Sequence, residues 1–544
     1  MPFNPEWQPL VDKKRADLRA RIPPEWILPK HITDQVNHTS TISAFDLLQS
    51  ISLLTPKEKN MTENYTATAL IRMMSQGELT SLEVTTAFCK RAAIAQQLTN
   101  CLTEIFFERA LSRAKQCDEY LAREKKPIGP LHGLPISLKD MLMVEGEAAC
   151  LGFVSYLKKP VAASNSFIVD MLLDAGAVLY VKTNVPQTLF TCESYNNVFG
   201  HTMNPYNLSL TAGGSSSGEG AIVGFRGALL GVGSDIGGSV RVPALVNGAY
   251  GFKPSSNRLP WGGQQELIPK GWLGTLPTLG PLGVSAEDLT LFMRTLLLAK
   301  PWVRDSTAHA IAWRDIPTKS KLRIGLYTGD PISPVHPPVK RALRLAADKL
   351  KAAGHEVVEL DRVPTLSDAA KVITRGFELD TEHAAFRILS DAGEDPIQPL
   401  IDAAKSPVLE KTDGFDLSDA WRFQAEREEY TEQWGKVWRD NSLDVLLGPG
   451  YKGVGARHDH VGPPFYTLVW NLLDFPASVI PFEKVDVSID TEQNVPKLLT
   501  NLTVDNVNDF KGIPAHVQVV GWRFQDEEVL MATEIISNVL SSDS

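Results

Sequence analysis

The spacing of hydrophobic positions changes along the chain. Up to about residue 120, apolar side chains recur every three to four positions. AFDLLQSISLL, ATALIRMMSQGELTSLEVTTAFCKRAAIAQQL and FFERALSRAKQCDEYLARE all carry this period, which predicts amphipathic helices. From 129 to 300, short β-branched runs such as LPISL and AVLYVK alternate with helical stretches such as SFIVDMLLDAGA, where Gly176 is placed to cap the helix end. After 320 the alternation resumes. KLRIGLY reads as a strand, and PPVKRALRLAADKLKAAG as a helix with Val339, Ala342, Leu343, Ala346 and Leu350 on one face. Gly354 ends that helix and HEVVEL follows as a strand. Residues 361–445 read as mostly helical, and DVLLGPG and HVQVVGWRF supply late strands. Such strand–helix alternation predicts an α/β sheet with helices on its faces. No Pro/Ser/Gly linker cuts the chain cleanly. The division predicted is therefore an N-terminal helical region, 1–120, packed on a core of residues 121–544, together one large domain.

Composition narrows the functional classes. With 43% hydrophobic and 22% charged residues, the 544-residue chain has ordinary globular composition and length enough to bury a large core. The formal net charge is −10 and no Lys/Arg-rich block occurs, which argues against a nucleic-acid partner. The N-terminal stretch is charged and broken by prolines, unlike a secretory signal. No apolar run approaches the roughly 18 residues of a membrane span. Five cysteines without C-x-x-C spacing predict reduced thiols in a cytoplasmic protein. His458-x-His460 alone is too sparse for a metal site, so neither metal nor cofactor is expected.

Two glycine-serine runs, GGSSSGEG (213–220) and GVGSDIGGSVR (231–241), carry the candidate chemistry. A linker would explain the composition, yet apolar AIVGFRGALLGVG lies between them. A phosphate loop needs lysine where Glu219 stands, and a carboxylate repels phosphate. The helix after KLRIGLY is likewise not opened by G-x-G-x-x-G, so that unit reads as scaffold. Gly214–Gly218 formally satisfies the nucleophile elbow G-x-S-x-G, and His309, His336, His355, His383, His458, His460 and His516 are available as bases. The elbow demands a tight strand-to-helix turn, however, and TMNPYNLSLTAGG before it reads as loop. The fourth reading places a nucleophile at Ser239. Ile236, Gly237 and Gly238 lead into it, and glycines permit successive N–H groups to converge on one developing oxyanion. That serine still needs a proton acceptor, and no histidine is local.

GPLHGLPISLKD (129–140), GGSSSGEG and GVGSDIGGSVRVPA together resemble the amidase signature hydrolases, which work through a Ser–Ser–Lys triad. KTNVPQTL, YGFKPSSNRLP, GPLGVSAEDL and GIPAHVQVVGWRFQDEEVL are similar to further blocks of that family in the expected order, and AFCKRAAIAQQLTNC resembles its fungal acetamidases. The resemblance implies a large mixed central β-sheet covered by helices. It makes Ser239 the nucleophile, Ser215 the bridging serine on a cis peptide and Lys139 the base. Ile236, Gly237 and Gly238 form the oxyanion hole, and Asp235, Arg241 and Ser216 brace it. A lysine at its ordinary pKa of ~10.4 is charged at pH 7, so Lys139 must be buried to accept a proton. Taken singly, Lys139, Lys182 and Lys253 would each read as surface lysines, and Asp235 with Arg241 as a surface ion pair. One departure stands out: the family's GGSSGG is here GGSSSG, with Ser217 in place of glycine.

The reaction implied is hydrolysis of small aliphatic amides through an acyl-serine, with carbamates or aryl amides as the alternative and a small-molecule substrate the only obligatory partner. Family members are often homodimers, so a homodimer is implied as well. Leu189, Thr191 and Cys192 after NVPQ are placed to line the acyl pocket, followed by Trp470 and Asn471. A lipid-amide hydrolase would want a membrane anchor. An amidotransferase A subunit would want partner subunits, and a non-catalytic binding module would have lost the triad, which is present here.

Overall fold

The short β-branched runs become the strands of one sheet. The computed structural model describes residues 6–404, 416–490 and 507–542. Its strands are β1 (Leu102–Ile105), β2 (Pro135–Lys139), β3 (Val178–Thr183), β4 (Met203–Asn204), β5 (Asn207–Thr211), β6 (Leu230–Asp235), β7 (Tyr250–Lys253), β8 (Thr278–Gly283), β9 (Arg323–Leu326), β10 (Glu356–Glu359), β11 (Val445–Gly448), β12 (Ala477–Lys484) and β13 (Pro514–Val520). All but β4 and β5 join an 11-stranded sheet in the order β1-β3-β2-β6-β8-β7-β12-β13-β11-β9-β10. The sheet is mixed: β3–β2–β6 and β11–β9–β10 run parallel, and the pairs from β6 through to β11 are antiparallel.

Helices cover the sheet, so its strands are apolar on both faces rather than alternating. Every residue of β2, β3, β6, β8 and β13 is buried. The predicted stripe Val339, Ala342, Leu343, Ala346 and Leu350 is buried along the Pro337–Ala352 helix, which packs against β13, and Gly354 after it is left-handed at φ 92°. A second apolar cluster gathers Trp434, Trp438, Trp470 and Phe475 beside β11 and β12.

Two stretches depart from the pattern-based expectation. Residues 203–211, read as loop, form the β4–β5 pair. The Pro205–Tyr206 turn between these strands dominates so short a segment, and its alternation is too brief to register. Leu102–Ile105 lies inside the stretch read as helical, yet forms β1 and pairs with β3 at the sheet edge. Four residues between the Ser81–Thr99 and Phe107–Glu124 helices are too few for a period of two to show. Among the described residues, no helix is long and apolar enough to cross a membrane. All five cysteines are free thiols.

Candidate active site

Because β2 and β6 are neighbours and parallel, their C-terminal ends emerge on the same edge of the sheet, where open α/β sheets hold ligands. Lys139 is the last residue of β2. Ser239 lies in the turn from β6 into the Arg241–Val246 helix, and Ser215 in the turn from β5 into the Ser217–Gly224 helix. The topology thus brings the GPLHGLPISLKD segment and both glycine-serine runs to one place. The Gly214–Ser215 peptide is cis. A backbone bond joins the two turns: the Ser216 N–H donates to the Ser239 carbonyl at 3.1 Å. Ser216 Oγ lies 3.4 Å from both the N and the O of Ser234.

Lys139 is fully buried, with Nζ 2.8 Å from Ser215 Oγ and 2.9 Å from Ser234 Oγ. Burial pushes its pKa down to about 7, against the opposing pull of Asp235 and Glu219. The surface reading fails for the other two lysines as well. Lys182 Nζ donates to the Ala148 carbonyl at 2.5 Å and lies 3.8 Å from Asp140. Lys253 donates to the Pro254 carbonyl at 2.9 Å, and burial lowers its pKa to about 8.

Asp235 and Arg241 are likewise no surface pair, since both side chains are fully buried. The Arg241 guanidinium donates to both Asp235 oxygens at 3.0 Å. Asn471 Nδ2 donates to the same carboxylate at 2.9 Å, the Gly238 N–H at 2.7 Å and the Val240 N–H at 3.1 Å. Burial raises the Asp235 pKa, but the Arg241 charge and these donors outweigh it and hold the group well below the usual carboxylate range. Arg241 continues to Asn471 Oδ1 at 2.6 Å and Gln518 Oε1 at 3.0 Å. The nucleophile turn is therefore held from inside by one carboxylate. Gly238 sits at φ 130°, and a Cβ there would fall 2.2 Å from Thr467 Oγ1, so only glycine fits. Thr467 Oγ1 also donates to the Gly237 carbonyl at 2.8 Å. With the Gly238 amide turned toward Asp235, Ile236 and Gly237 form the part of the loop that reaches the surface, both half-buried.

The positions expected to line the acyl pocket fall differently. The 191–193 backbone walls the bridging serine: a Cβ on Gly214 would lie 2.7 Å from the Thr191 carbonyl oxygen and 2.4 Å from that of Glu193. Thr191 Oγ1 is buried with no hydrogen-bond partner. Burial, with Asp235 nearby, pushes the Cys192 thiol up to about 12, so it is protonated and inert as a nucleophile. Leu189 is left-handed at φ 63° and partly buried, and its neighbour Phe190 meets Phe377 with ring centroids 5.8 Å apart. Trp470 turns away into the aromatic cluster, 5.0 Å from Trp434, and Asn471 serves Asp235. From the same Phe465–Leu472 helix Leu468 joins Thr467 in facing the nucleophile loop, and a Cβ on Gly237 would lie 2.8 Å from its Cδ1.

Sequence reasoning missed Ser234, Thr467 and Gln518. Ser234 was findable, since GVGSDIGGS puts it beside Asp235 at the strand end; the other two come from distant segments without a local signal. The elbow alternative has no base: among the described residues, no histidine hydrogen-bonds to Ser215, Ser216 or Ser217. His458 lies by Glu193 and the Leu208 carbonyl, and His516 accepts from the Tyr451 N–H. The Ser217 hydroxyl is buried and unpartnered.

The amidase family model matches residues 83–530. An amidase of Gibberella moniliformis is 50% identical over 536 residues, 98% of this chain and 99% of its own. An acetamidase of Emericella nidulans is 39% identical over 556 aligned residues, 98% of each chain. Among solved structures, a fatty acid amide hydrolase superposes with a TM-score of 0.92 at 35% identity, covering 99% of this chain and 96% of that one.

Proposed function

The chain belongs to the amidase family and is an amidase, and from that premise we propose that it hydrolyses small aliphatic amides to carboxylate and ammonia through an acyl-Ser239 intermediate. The observation that carries the reading is a buried amine, Lys139 Nζ, 2.8 Å from the Ser215 hydroxyl, in a turn tied by backbone to Ser239.

Neutral Lys139 accepts the Ser215 proton while Ser215 accepts that of Ser239, and Ser239 Oγ attacks the amide carbon. The carbonyl oxygen becomes an oxyanion beside the amides of Ile236 and Gly237, with Gly238 holding the turn through Asp235. Collapse of the tetrahedral species breaks the C–N bond as Lys139 returns the proton through Ser215 to the leaving nitrogen, which departs as an amine rather than an amide anion. Water then attacks the acyl-serine, giving one proton to the same relay; collapse expels Ser239, which takes that proton back, and the acid product leaves and ionises to the carboxylate. Ser234 accepts a hydrogen bond from Lys139 and keeps the amine's lone pair turned to Ser215. Asp235, Arg241 and Ser216 keep the two turns in register. Nothing in this cycle calls on a second copy of the chain.

The acetamidase of Emericella nidulans supports a small acyl group. We read Leu189, Thr191, Cys192 and Leu468 as bounding that group, a reading supported by the Thr191 carbonyl against Gly214 and Leu468 against Gly237. A panel of acetamide, propionamide, anilides, short carbamates and long-chain amides, compared by kcat/KM, tests the reading. The short amides should lead, with activity retained in chelator. Preference for an anilide, a carbamate or a long-chain amide would replace the substrate class and leave the mechanism standing.

A further inference from the structure

Glu219, which ruled out a phosphate loop, has a place that the reaction does not use. It lies in the first turn of the Ser217–Gly224 helix and is fully buried. Its carboxyl enters a slot in the sheet formed by three strands. Ser137 Oγ on β2 donates to Oε2 at 2.6 Å, and Thr183 Oγ1 on β3 donates to Oε1 at 2.8 Å. On β6 the slot exists because residue 231 is glycine: a Cβ there would fall 1.9 Å from Glu219 Oε2.

The slot adjoins the catalytic amine. Ser137 precedes Lys139 by two on β2, so both side chains leave the same face, roughly 6–7 Å apart along the strand. Thr183 is the register partner of Lys139 across β2–β3, and Gly231 that of Ser137 across β2–β6. Both donors to the Glu219 carboxyl are thus immediate neighbours of Lys139 on its own face.

We propose that Glu219 is a positioning residue that tunes Lys139: an acid sealed into the sheet beside the amine, whose negative charge sets how readily the amine gives up its proton. The inference rests on Lys139 being the base. Burial pushes Glu219 up to about 7, opposed by the hydrogen bonds from Ser137 and Thr183 and by the Lys139 charge. The two groups therefore exchange charge in one pH range. Other titratable groups facing Glu219 stay neutral there. The Cys101 thiol is raised to about 12 by burial, and Tyr180, raised by burial too, donates its hydroxyl proton to the Gly227 carbonyl at 2.6 Å. On the flanking helices, Cys89 is raised by burial, Arg91 is engaged by the Phe225 carbonyl and Glu63, and Arg241 by Asp235. Lys139 also feels Asp235 and Cys192.

The test is the pH dependence of kcat/KM in Glu219→Gln, which keeps the shape and the hydrogen-bonding capacity of the side chain. Removing the charge lowers the proton affinity of Lys139, so the acid limb should move down by about one pH unit. Loss of activity at the plateau with the limb unmoved, or a limb moved upward, would overturn the proposal, since either is what a merely structural side chain gives. Should Glu219→Gln not fold, Thr183→Val decides. It removes one donor from the carboxylate, makes Glu219 easier to protonate and should move the limb down by a smaller amount; an unmoved limb overturns the proposal there too. The wild-type limb reports separately on the underlying reading: if wild type shows none, Lys139 is not the base, whatever the variants do.

Discussion

Lys139 Nζ stands 2.8 Å from Ser215 Oγ in a fully buried setting, at the C-terminal end of a strand. An amine in bulk water titrates near 10.4, and burial brings this one to about 7. Protonated, it has no lone pair to accept from Ser215. As pH falls through about 7, kcat/KM should therefore drop, approaching tenfold per unit below. A pH–rate profile on acetamide checks it; an acid limb near 10 would mean an amine that water reaches.

Lys139→Ala and Ser239→Ala should abolish ammonia release, and Ser215→Ala should lower it roughly 10²–10⁴-fold, the range of positioned proton transfer. Circular dichroism alongside the assay separates lost chemistry from lost fold. Wild-type turnover in Lys139→Ala would remove the relay.

Ser234 offers the amine its second hydroxyl, at 2.9 Å. Ser234→Ala leaves the base and bridge in place but frees the amine to rotate. The expected loss in kcat is roughly tenfold, smaller than for Ser215→Ala, with KM little changed. Steady-state kinetics of the two variants side by side decides the ranking.

Arg241→Ala would strand the Asp235 carboxylate in the interior. Removing one partner of a buried pair costs roughly 3–5 kcal/mol. The Asp235 pKa is depressed in the folded state, so the pair's contribution is fully present above the unfolded value of about 3.9 and is lost as pH falls toward the folded one. Denaturant unfolding at pH 7 and pH 3 should show the gap between wild type and Arg241→Ala narrowing in acid.

The Ser217 hydroxyl is buried without a partner. Ser217→Ala removes that unmet group and improves the first turn of its helix, so stability should rise by about 1 kcal/mol with amide turnover unaltered. Urea unfolding measures it. A decrease would mean that the hydroxyl has a partner, such as a bound water.

Much of this architecture was legible in the chain because long periodic helices and buried strands leave strong patterns. The stripe from Val339 to Leu350 and the runs LPISL and AVLYVK fall where the pattern puts them. Both glycine-serine runs were visible as candidate chemistry, but the base came only from the family resemblance, since Lys139 reaches Ser215 through sheet pairing that no local pattern encodes. β1 was hidden by brevity between helices, and β4–β5 by the turn residues between them. Burial was the hardest property to read. Lys139, Lys182, Lys253, Asp235 and Arg241 are all ionisable side chains that average behaviour assigns to the surface, and each is inside because a specific partner waits there.

The single backbone bond from Ser216 to Ser239 ties together two turns that a helix and a strand separate in the chain. Neither hydroxyl can drift to suit a larger guest without dragging the other. Diversification toward new guests must therefore come from the rim, from Leu189 through Cys192 and from Leu468, while the bond-breaking apparatus is inherited unaltered.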